Sequence, residues 1–257
     1  MFPDCRHTGF VTFENYRTRH MNNKISDPLH FFIKKYNVDL VSVNNFILGE
    51  KYAAVISEKG NIGLAANLFN VKKFDVKNIK SFDTENYTHR LFLLAYFNSI
   101  INYQKHAYLN DDIFNLVDFT SYPEIVMIGY SKPMAKKLGD LRIKPVIFDK
   151  SSDNEIVTMQ SKLPEYLKSA NSLILTGTSI INNTFSDIID QVSENCDVYL
   201  IGPSVPLTTD LFEISQIKGI FGTVFNKNDK DVIDVILKNE GTNCLKKYGK
   251  KVGLLRN

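Results

Sequence analysis

LILTGTSIINNT (residues 173–184) and YLIGPSVPLTTD (residues 199–210) each begin as an apolar strand and run directly into small polar residues. In an open α/β sheet, ligands bind beyond the carboxyl ends of the strands, where loop amides and helix N-termini face the crevice. We therefore expect a ligand-binding edge formed by the residues that follow the two strands, namely Thr176, Gly177, Thr178, Asn182, Thr184, Gly202, Ser204 and Thr208. None of these is a nucleophile with an adjacent base, so the pattern indicates binding more clearly than a reaction.

Strands and helices alternate from about residue 124 to the last residues of the chain. Six β-rich apolar segments predict strands: EIVMIGY (124–130), KPVIFDK (144–150), SLILTGT (172–178), DVYLIGPS (197–204), GIFGTVF (219–225) and KVGLL (251–255). Five segments predict helices: KPMAKKLG (132–139), LPEYLKSA (163–170), INNTFSDIIDQVSEN (181–195), TTDLFEIS (208–215) and KDVIDVILKNEG (230–241). Strands buried on both faces and joined by right-handed crossovers form a doubly wound, mostly parallel sheet. The C-terminal half is therefore predicted to be an α/β, Rossmann-like domain.

The N-terminal half has a different pattern. Asp27 and Pro28 suit the N-cap and first turn of a helix, and the apolar runs broken by Gly49, Gly60 and Gly63 predict two or three antiparallel strands. A long apolar helix follows between residues 85 and 108, and its polar Asn98 and Ser99 are either hydrogen-bonded by the protein, solvated or in contact with a ligand. We expect an irregular leader over residues 1–20, a smaller α+β domain over 21–115 and the Rossmann-like domain over 116–257, joined near residues 109–123.

The first turn of the predicted large sheet lacks the dinucleotide fingerprint. Only Gly129 follows the strand, whereas GxGxxG is needed for close approach of a pyrophosphate to the backbone. Asp149 ends the next strand, where an acidic side chain can bind a ribose diol, although acidic residues are also common in plain loops. For Thr178 and Ser179, the alternative to a ligand contact is a purely structural role as a helix cap. Gly202 and Pro203 predict a stiff turn that a ligand can approach closely.

The composition excludes several classes of protein. A net charge of +3 over 257 residues does not indicate a nucleic-acid partner, and no apolar run approaches the ~20 residues of a membrane span. The N-terminus has no apolar segment typical of a signal peptide, and Cys5, Cys196 and Cys244 have no CxxC spacing. We therefore expect a cytoplasmic protein without a membrane or nucleic-acid partner. Whether the chain forms a homo-oligomer is left open by the sequence.

Several of these segments resemble one known family. TGTSIINNT (176–184), GPSVPLTTDLF (202–212) and MIGY (127–130) are similar to the C-terminal Rossmann-like domain of a family of unknown function that is named for heavy-metal chelation. VSVNNFILGEKYAAVISEKGNIGLAANL (41–68) and LAYFNSI (94–100) resemble the family's N-terminal domain, which has an enolase N-terminal-like fold. The resemblance extends from about Asp27 to the C-terminus, and GPSVPL is its most specific part.

The resemblance implies a site between the two domains for a small metabolite, with a role in making, modifying or handling a metal chelator or a pterin-like or siderophore-like molecule. The residues that match the family motifs are Gly129, Thr176, Gly177, Thr178, Asn182, Thr184, Gly202, Pro203 and Ser204. Enolase chemistry is not implied, since the N-terminal half offers no carboxylate cluster for Mg²⁺. No protein metal ligands are predicted, and a metal would arrive already chelated by a small molecule.

Three functions remain open at this stage. The first is binding or handling of a small anionic or metal-chelating metabolite in an interdomain cleft, with Asp149 added to the motif residues as a candidate contact. The second is a methyltransferase-like or condensing and hydrolysing enzyme that acts on a pterin-, flavin- or siderophore-like molecule, with catalytic residues and cofactor unknown. A purely structural role is the third. The polar loops without a catalytic dyad favour the first.

The scattered cysteines and histidines generate a prediction about metals. Protein stripped of small molecules should bind free Zn²⁺, Ni²⁺ or Cu²⁺ only weakly, because the sequence has no Cys/His set at ligand spacing. Isothermal calorimetry measures this directly. A stoichiometric site of submicromolar affinity in the stripped protein would contradict the prediction.

Overall fold

The computed structural model describes residue 25 and residues 27–104, 107–150 and 156–256. The predicted irregular leader at 1–20 lies outside these residues. The fold is α/β, with a three-stranded antiparallel sheet and a six-stranded, mostly parallel sheet. The predicted fold class is thus confirmed.

The N-terminal elements begin with helix α1, Pro28–Tyr36, whose N-cap Asp27 accepts a hydrogen bond from the Leu29 amide as predicted. The small sheet consists of β1, Val43–Leu48, β2, Tyr52–Ser57, and β3, Ile62–Ala66. Helix α2, Tyr87–Ile101, packs across this sheet. A Cβ atom at Gly63 would lie 2.1 Å from the Ala95 carbonyl oxygen, so the missing side chain allows close contact between α2 and β3.

The large sheet contains the six predicted strands: β4, Ile125–Ile128; β5, Val146–Phe148; β6, Ser172–Thr176; β7, Asp197–Ile201; β8, Ile217–Phe225; and β9, Gly249–Leu255. The first five are parallel and β9 is antiparallel to β8. Because the chain goes from β4 to β5 on one side and then crosses to β6 on the other, the strand order reverses between β4 and β6. Open α/β sheets bind ligands at this switch point.

The helices of this half are α3, Ile113–Leu116; α4, Lys132–Asp140; α5, Leu163–Ser169; α6, Thr178–Ile181; α7, Phe185–Ile189; α8, Lys230–Leu237; and α9, Thr242–Leu245. The helix predicted over 181–195 is instead the end of α6 and the separate α7, because Asn183 has a left-handed backbone with φ of 57°. The segment predicted as helix over 208–215 forms a 3₁₀ turn, Thr209–Glu213.

The two sheets share their cores. One apolar cluster joins Val55 and Phe92 of the N-terminal elements to Leu175 and Leu200 of the large sheet. The other face of the small sheet packs against Val232 and Ile236 of α8, and the residues near the predicted connector, such as Phe119, cover the opposite face of the large sheet. The division into domains at 21–115 and 116–257 stays a prediction.

Tyr103 connects the edges of the two sheets. Its hydroxyl group lies 2.9 Å from the Ile62 carbonyl oxygen and accepts a hydrogen bond from the Phe225 amide at 3.1 Å. The Ile62 amide and the Phe225 carbonyl are within 3.3 Å of the same oxygen. One hydroxyl thus serves backbone groups of β3 and β8 that have no strand neighbour there.

Replacing Tyr103 by Phe should lower the free energy of unfolding by about 1–3 kcal/mol, because part-buried backbone groups lose their partner while the ring still fills its place. Chemical denaturation measures the change. Tyr248→Phe is the matched control, since Tyr248 is more exposed, and it should have little effect. Equal stability of Tyr103→Phe and the wild type would show that the hydroxyl does not hold the sheets together.

Candidate functional site

The carboxyl edge of the large sheet opens into a cleft of about 1480 Å³. The loops after β4, β6 and β7 line it together with the segment that follows β3 of the small sheet. Ten of the eleven residues predicted from the sequence line this cleft: Gly129, Asp149, Thr176, Gly177, Thr178, Asn182, Thr184, Gly202, Pro203 and Ser204. Thr208 does not line it, because its side chain is buried and caps the 3₁₀ turn by accepting a hydrogen bond from the Asp210 amide. Their individual contacts suggest different roles.

The loop after β4 is shaped by a glycine. Gly129 has φ of +90°, and a Cβ atom there would lie 2.5 Å from Cγ2 of Thr176 on the neighbouring strand. Its amide donates to the Phe148 carbonyl, which continues the β4–β5 pairing beyond the strands. A side chain at this position would be strained and would collide with Thr176.

Asp149 fixes the same loop, since its Oδ2 accepts a hydrogen bond from the Tyr130 amide at 2.6 Å. A contact of this carboxylate with a ligand, which the sequence suggested for a ribose, stays a prediction. The nine-residue helix α4 begins directly after this loop, and its N-cap Ser131 makes no side-chain capping bond. The backbone N–H groups in the first turn of α4 therefore have no acceptor in the Ser131 side chain.

The loop after β6 carries most of the predicted polar groups. The Gly177 amide donates to the Ile201 carbonyl, and a Cβ atom at Gly177 would lie 2.8 Å from Val205 of the next loop. The Thr178 amide and hydroxyl face Oγ1 of Thr176 at 3.4 and 3.3 Å. Asn182 accepts a hydrogen bond from the Thr184 hydroxyl, and Thr184 is the N-cap position of α7.

The loop after β7 is fixed to the N-terminal elements. Gly202 has φ of +117°, and a Cβ atom there would meet nothing within 4 Å. Ser204 is buried, its hydroxyl accepts a hydrogen bond from the Ala66 amide, and its carbonyl accepts one from Nδ2 of Asn98. The Ser204 hydroxyl thus has a structural partner, and its predicted contact with a ligand would be additional.

Two polar residues of α2 and its C-cap Asn102 hold the loops and α6 in place, and two of the three were not identified from the sequence. Asn98 and Asn102 donate to the Ser204 and Val205 carbonyls, and Oδ1 of Asn102 accepts from the Leu207 amide at 2.7 Å. The third, Arg90, is 1% exposed. The sequence did contain a signal for these three residues. Arg90, Asn98 and Asn102 are polar, follow one another at spacings of eight and four residues in an otherwise apolar segment, and so lie near one face of the helix.

The Arg90 guanidinium makes a fork-like pair with Asp27, at 2.9 and 3.0 Å. Its Nε also donates to the carbonyls of Ile180 and Ile181 at the end of α6. Arginine suits this place because its planar group donates in several directions at once. It thereby fixes the short helix that carries Thr178 and ends next to Asn182.

The segment after β3 forms the wall contributed by the N-terminal half. Asn67 is buried, and its side chain donates to the carbonyls of Gly49 and Val71 and accepts from the Val71 amide. Leu68 and Phe69, which are 45% and 66% exposed, project from this loop and line the cleft. The sequence analysis did not identify either residue.

The charges in the cleft are mixed. Asp112 lies 2.9 Å from Nζ of Lys137 and 3.3 Å from Nζ of Lys251. Burial alone would raise the pKa of Asp112, but the bonds to the two lysines outweigh it and keep the pKa below its usual value. Burial and the nearby Lys251 lower the pKa of Lys246, which also lines the cleft. Two ammonium groups therefore share one carboxylate, with a third close by.

The described residues do not fit a heavy-metal ion held by side chains alone. No group of three or more His, Cys, Asp or Glu residues able to hold a metal occurs within the described ranges. Described residues that line the cleft include no cysteine and no histidine, the ligands that soft metals prefer. Burial raises the pKa of Cys196, in the core, to about 12, so its thiol stays protonated.

The fold is Rossmann-like α/β, with a cleft at the carboxyl edge of the large sheet to which the smaller antiparallel sheet contributes a wall. The chain belongs to the DUF364 family, whose model carries the description "Putative heavy-metal chelation" and matches residues 112–254. The family resemblance found in the sequence is confirmed. No curated protein matched the chain.

Two solved structures share the fold. A DUF364 protein of unknown function from Pyrococcus horikoshii has a TM-score of 0.75 and 16% identity, with 89% of this chain and 100% of that chain covered. One from Desulfitobacterium hafniense DCB-2 has a TM-score of 0.72 and 17% identity, covering 88% and 100% of the two chains. Helices in the described part of this chain are all too short or too polar to cross a membrane.

Arg90→Ala should destabilise the protein by about 3–5 kcal/mol, because the part-buried Asp27 carboxylate and the buried α6 carbonyls would lose the guanidinium group that pairs with them. Lys238→Ala removes an exposed ion pair with Asp234 and should change the free energy of unfolding by less than about 1 kcal/mol. Urea denaturation of both variants gives the comparison. If Arg90→Ala lowers the free energy of unfolding as little as Lys238→Ala does, Arg90 is not needed to fix α6.

Proposed function

We propose that the protein binds a small anionic or metal-chelating metabolite in the cleft between the small sheet and the carboxyl edge of the large sheet. The observation that carries this proposal is the meeting of the loops after β4, β6 and β7 with the loop after β3 at one cleft. A site at a switch point is what this sheet topology favours. The family description supports a link to metal chelation.

The chemistry of the lining favours an anionic ligand with several oxygen atoms. Hydroxyl groups of Thr176 and Thr178, the Asn182 amide and lysines at the rim can donate hydrogen bonds to oxygen atoms. The described lining residues include no cysteine or histidine, and the carboxylates among them belong to no group of three that could hold a metal ion. A metal would therefore come as part of the bound chelate, with its coordination supplied by the small molecule.

An unidentified reaction on this molecule, such as methyl transfer, condensation or hydrolysis, is the alternative. Among the described lining residues, no nucleophile is in contact with a base. The lining therefore offers no reason to prefer a reaction over binding. A cytoplasmic location is part of the proposal, and the free thiols of Cys196 and Cys244 in the described part of the chain support it, since a reducing compartment keeps thiols unpaired. The ligand-binding roles of the ten lining residues belong to the same proposal.

Asn182 is the best residue for testing the proposal, since it is only half-buried and the bond to Thr184 uses only its Oδ1 atom. Asn182→Ala should weaken binding of the copurifying metabolite about tenfold, equivalent to 1.4 kcal/mol. Native mass spectrometry of gently purified protein identifies that molecule, and calorimetric titration into stripped protein measures its affinity.

Asn195→Ala is the control, because Asn195 is exposed and lies outside the cleft lining. It should leave the affinity unchanged. The melting temperature of both variants without ligand separates loss of binding from loss of structure. Absence of a copurifying small molecule, or identical affinity in Asn182→Ala and wild type, would count against the proposed site.

A further inference from the structure

Phe69 stands out among the residues of the cleft because its ring is 66% exposed, whereas every other phenylalanine in the described part of the chain is buried or partly buried. Exposed apolar residues that stand alone on a surface are ordinary. Phe69, however, lines the cleft next to Leu68, which is also exposed, and both follow the buried Asn67. The ring therefore forms part of a concave surface that is lined by both apolar and polar residues.

The backbone below Phe69 is held firmly. Asn67 bonds with Gly49 and with both backbone groups of Val71, so it closes the loop across its base. The Leu68 amide donates to the Tyr87 hydroxyl at 2.6 Å. Tyr87 also packs edge-on with Phe69, with ring centroids 4.2 Å apart. The Phe69 ring is thus positioned before any ligand arrives, which reduces the entropy lost on binding.

Two contacts place this ring near the polar loops of the site. The Ala66 amide donates to the Ser204 hydroxyl, so the chain leaves β3 beside the loop after β7. On the other side, Asn183 donates to Glu85, two residues before Tyr87. The support of Phe69 is therefore joined both to the Gly202–Ser204 loop and to the Asn182–Thr184 turn.

We propose that Phe69 is a stacking surface for a flat aromatic ring of the ligand, whose anionic or chelating oxygen atoms face the polar loops. This inference rests on the proposed function and narrows its ligand to a ring-bearing oxyanion. Aromatic faces attract other rings in offset or edge-on contact, and a ligand without a ring would leave this wall without a partner.

A pair of probes isolates the contribution of the ring. Salicylate and cis-2-hydroxycyclohexanecarboxylate share a carboxylate and a neighbouring hydroxyl, but only salicylate is aromatic. We expect wild-type protein to bind salicylate about two- to tenfold more tightly, the range that one stacking contact supplies. Titrations followed by NMR measure affinities in the millimolar range that such small probes require.

Phe69→Leu should remove this preference while leaving the affinity for the saturated acid unchanged, and Phe69→Tyr should retain it. Tyr248→Leu, which removes another exposed aromatic ring outside the cleft lining, is the control and should behave as wild type. Melting temperatures verify that Phe69→Leu is folded.

The outcomes separate this inference from the proposed function. Equal binding of the two acids by wild type, or an aromatic preference that survives in Phe69→Leu, would overturn the stacking role and leave anion binding in place. Failure of both acids to bind wild type would overturn the proposed function and the inference with it. If Phe69→Leu loses the preference for salicylate while Phe69→Tyr and Tyr248→Leu retain it, the result supports both the proposed function and the stacking role of Phe69.

Discussion

The buried pair of Arg90 and Asp27 is the interaction on which the arrangement of the two halves depends. A guanidinium group that is 1% exposed is tolerated only if its donors are satisfied, and here they meet the Asp27 carboxylate and carbonyls of Thr84, Ile180 and Ile181. These partners belong to the cap of α1, the segment before α2 and the end of α6. One side chain therefore sets the position of three elements from both halves.

Helix α2 extends this principle along its length. It is apolar on nearly every side because it lies between the small sheet and the large sheet, and its few polar side chains must find partners inside the protein. Asn98 and Asn102 find them in the loop after β7, whose backbone would otherwise be unpaired there. Stability and the shape of the cleft are thus coupled through the same hydrogen bonds. A change that loosens α2 would also move the loop after β7, which lines the cleft.

The sequence was sufficient for the strands, because each is a short apolar run that ends at a glycine, proline or polar residue. It also located the cleft, since the carboxyl ends of parallel strands lie together at one edge. It could not supply the contacts of Arg90, Asn102 and Tyr103, since each of these side chains has a partner 90 or more residues away in the chain. The segment at 181–195 was predicted as one helix because its apolar spacing is helical, whereas Asn183 interrupts it with a left-handed backbone. Phe69 was missed because a lone aromatic residue after a strand carries no pattern.

Packing of α8 against the small sheet has a consequence for how the chain folds. The outer face of the small sheet, to which Tyr52 and Ile56 belong, is covered by Val232 and Ile236, which come much later in the chain. Contacts between residues so distant in the chain form slowly, since a long loop must close first. During synthesis the small sheet therefore keeps an apolar face open until α8 has been made, and a nascent chain with such a face exposed is prone to aggregate. Shortening the chain before α8 would make that exposure permanent.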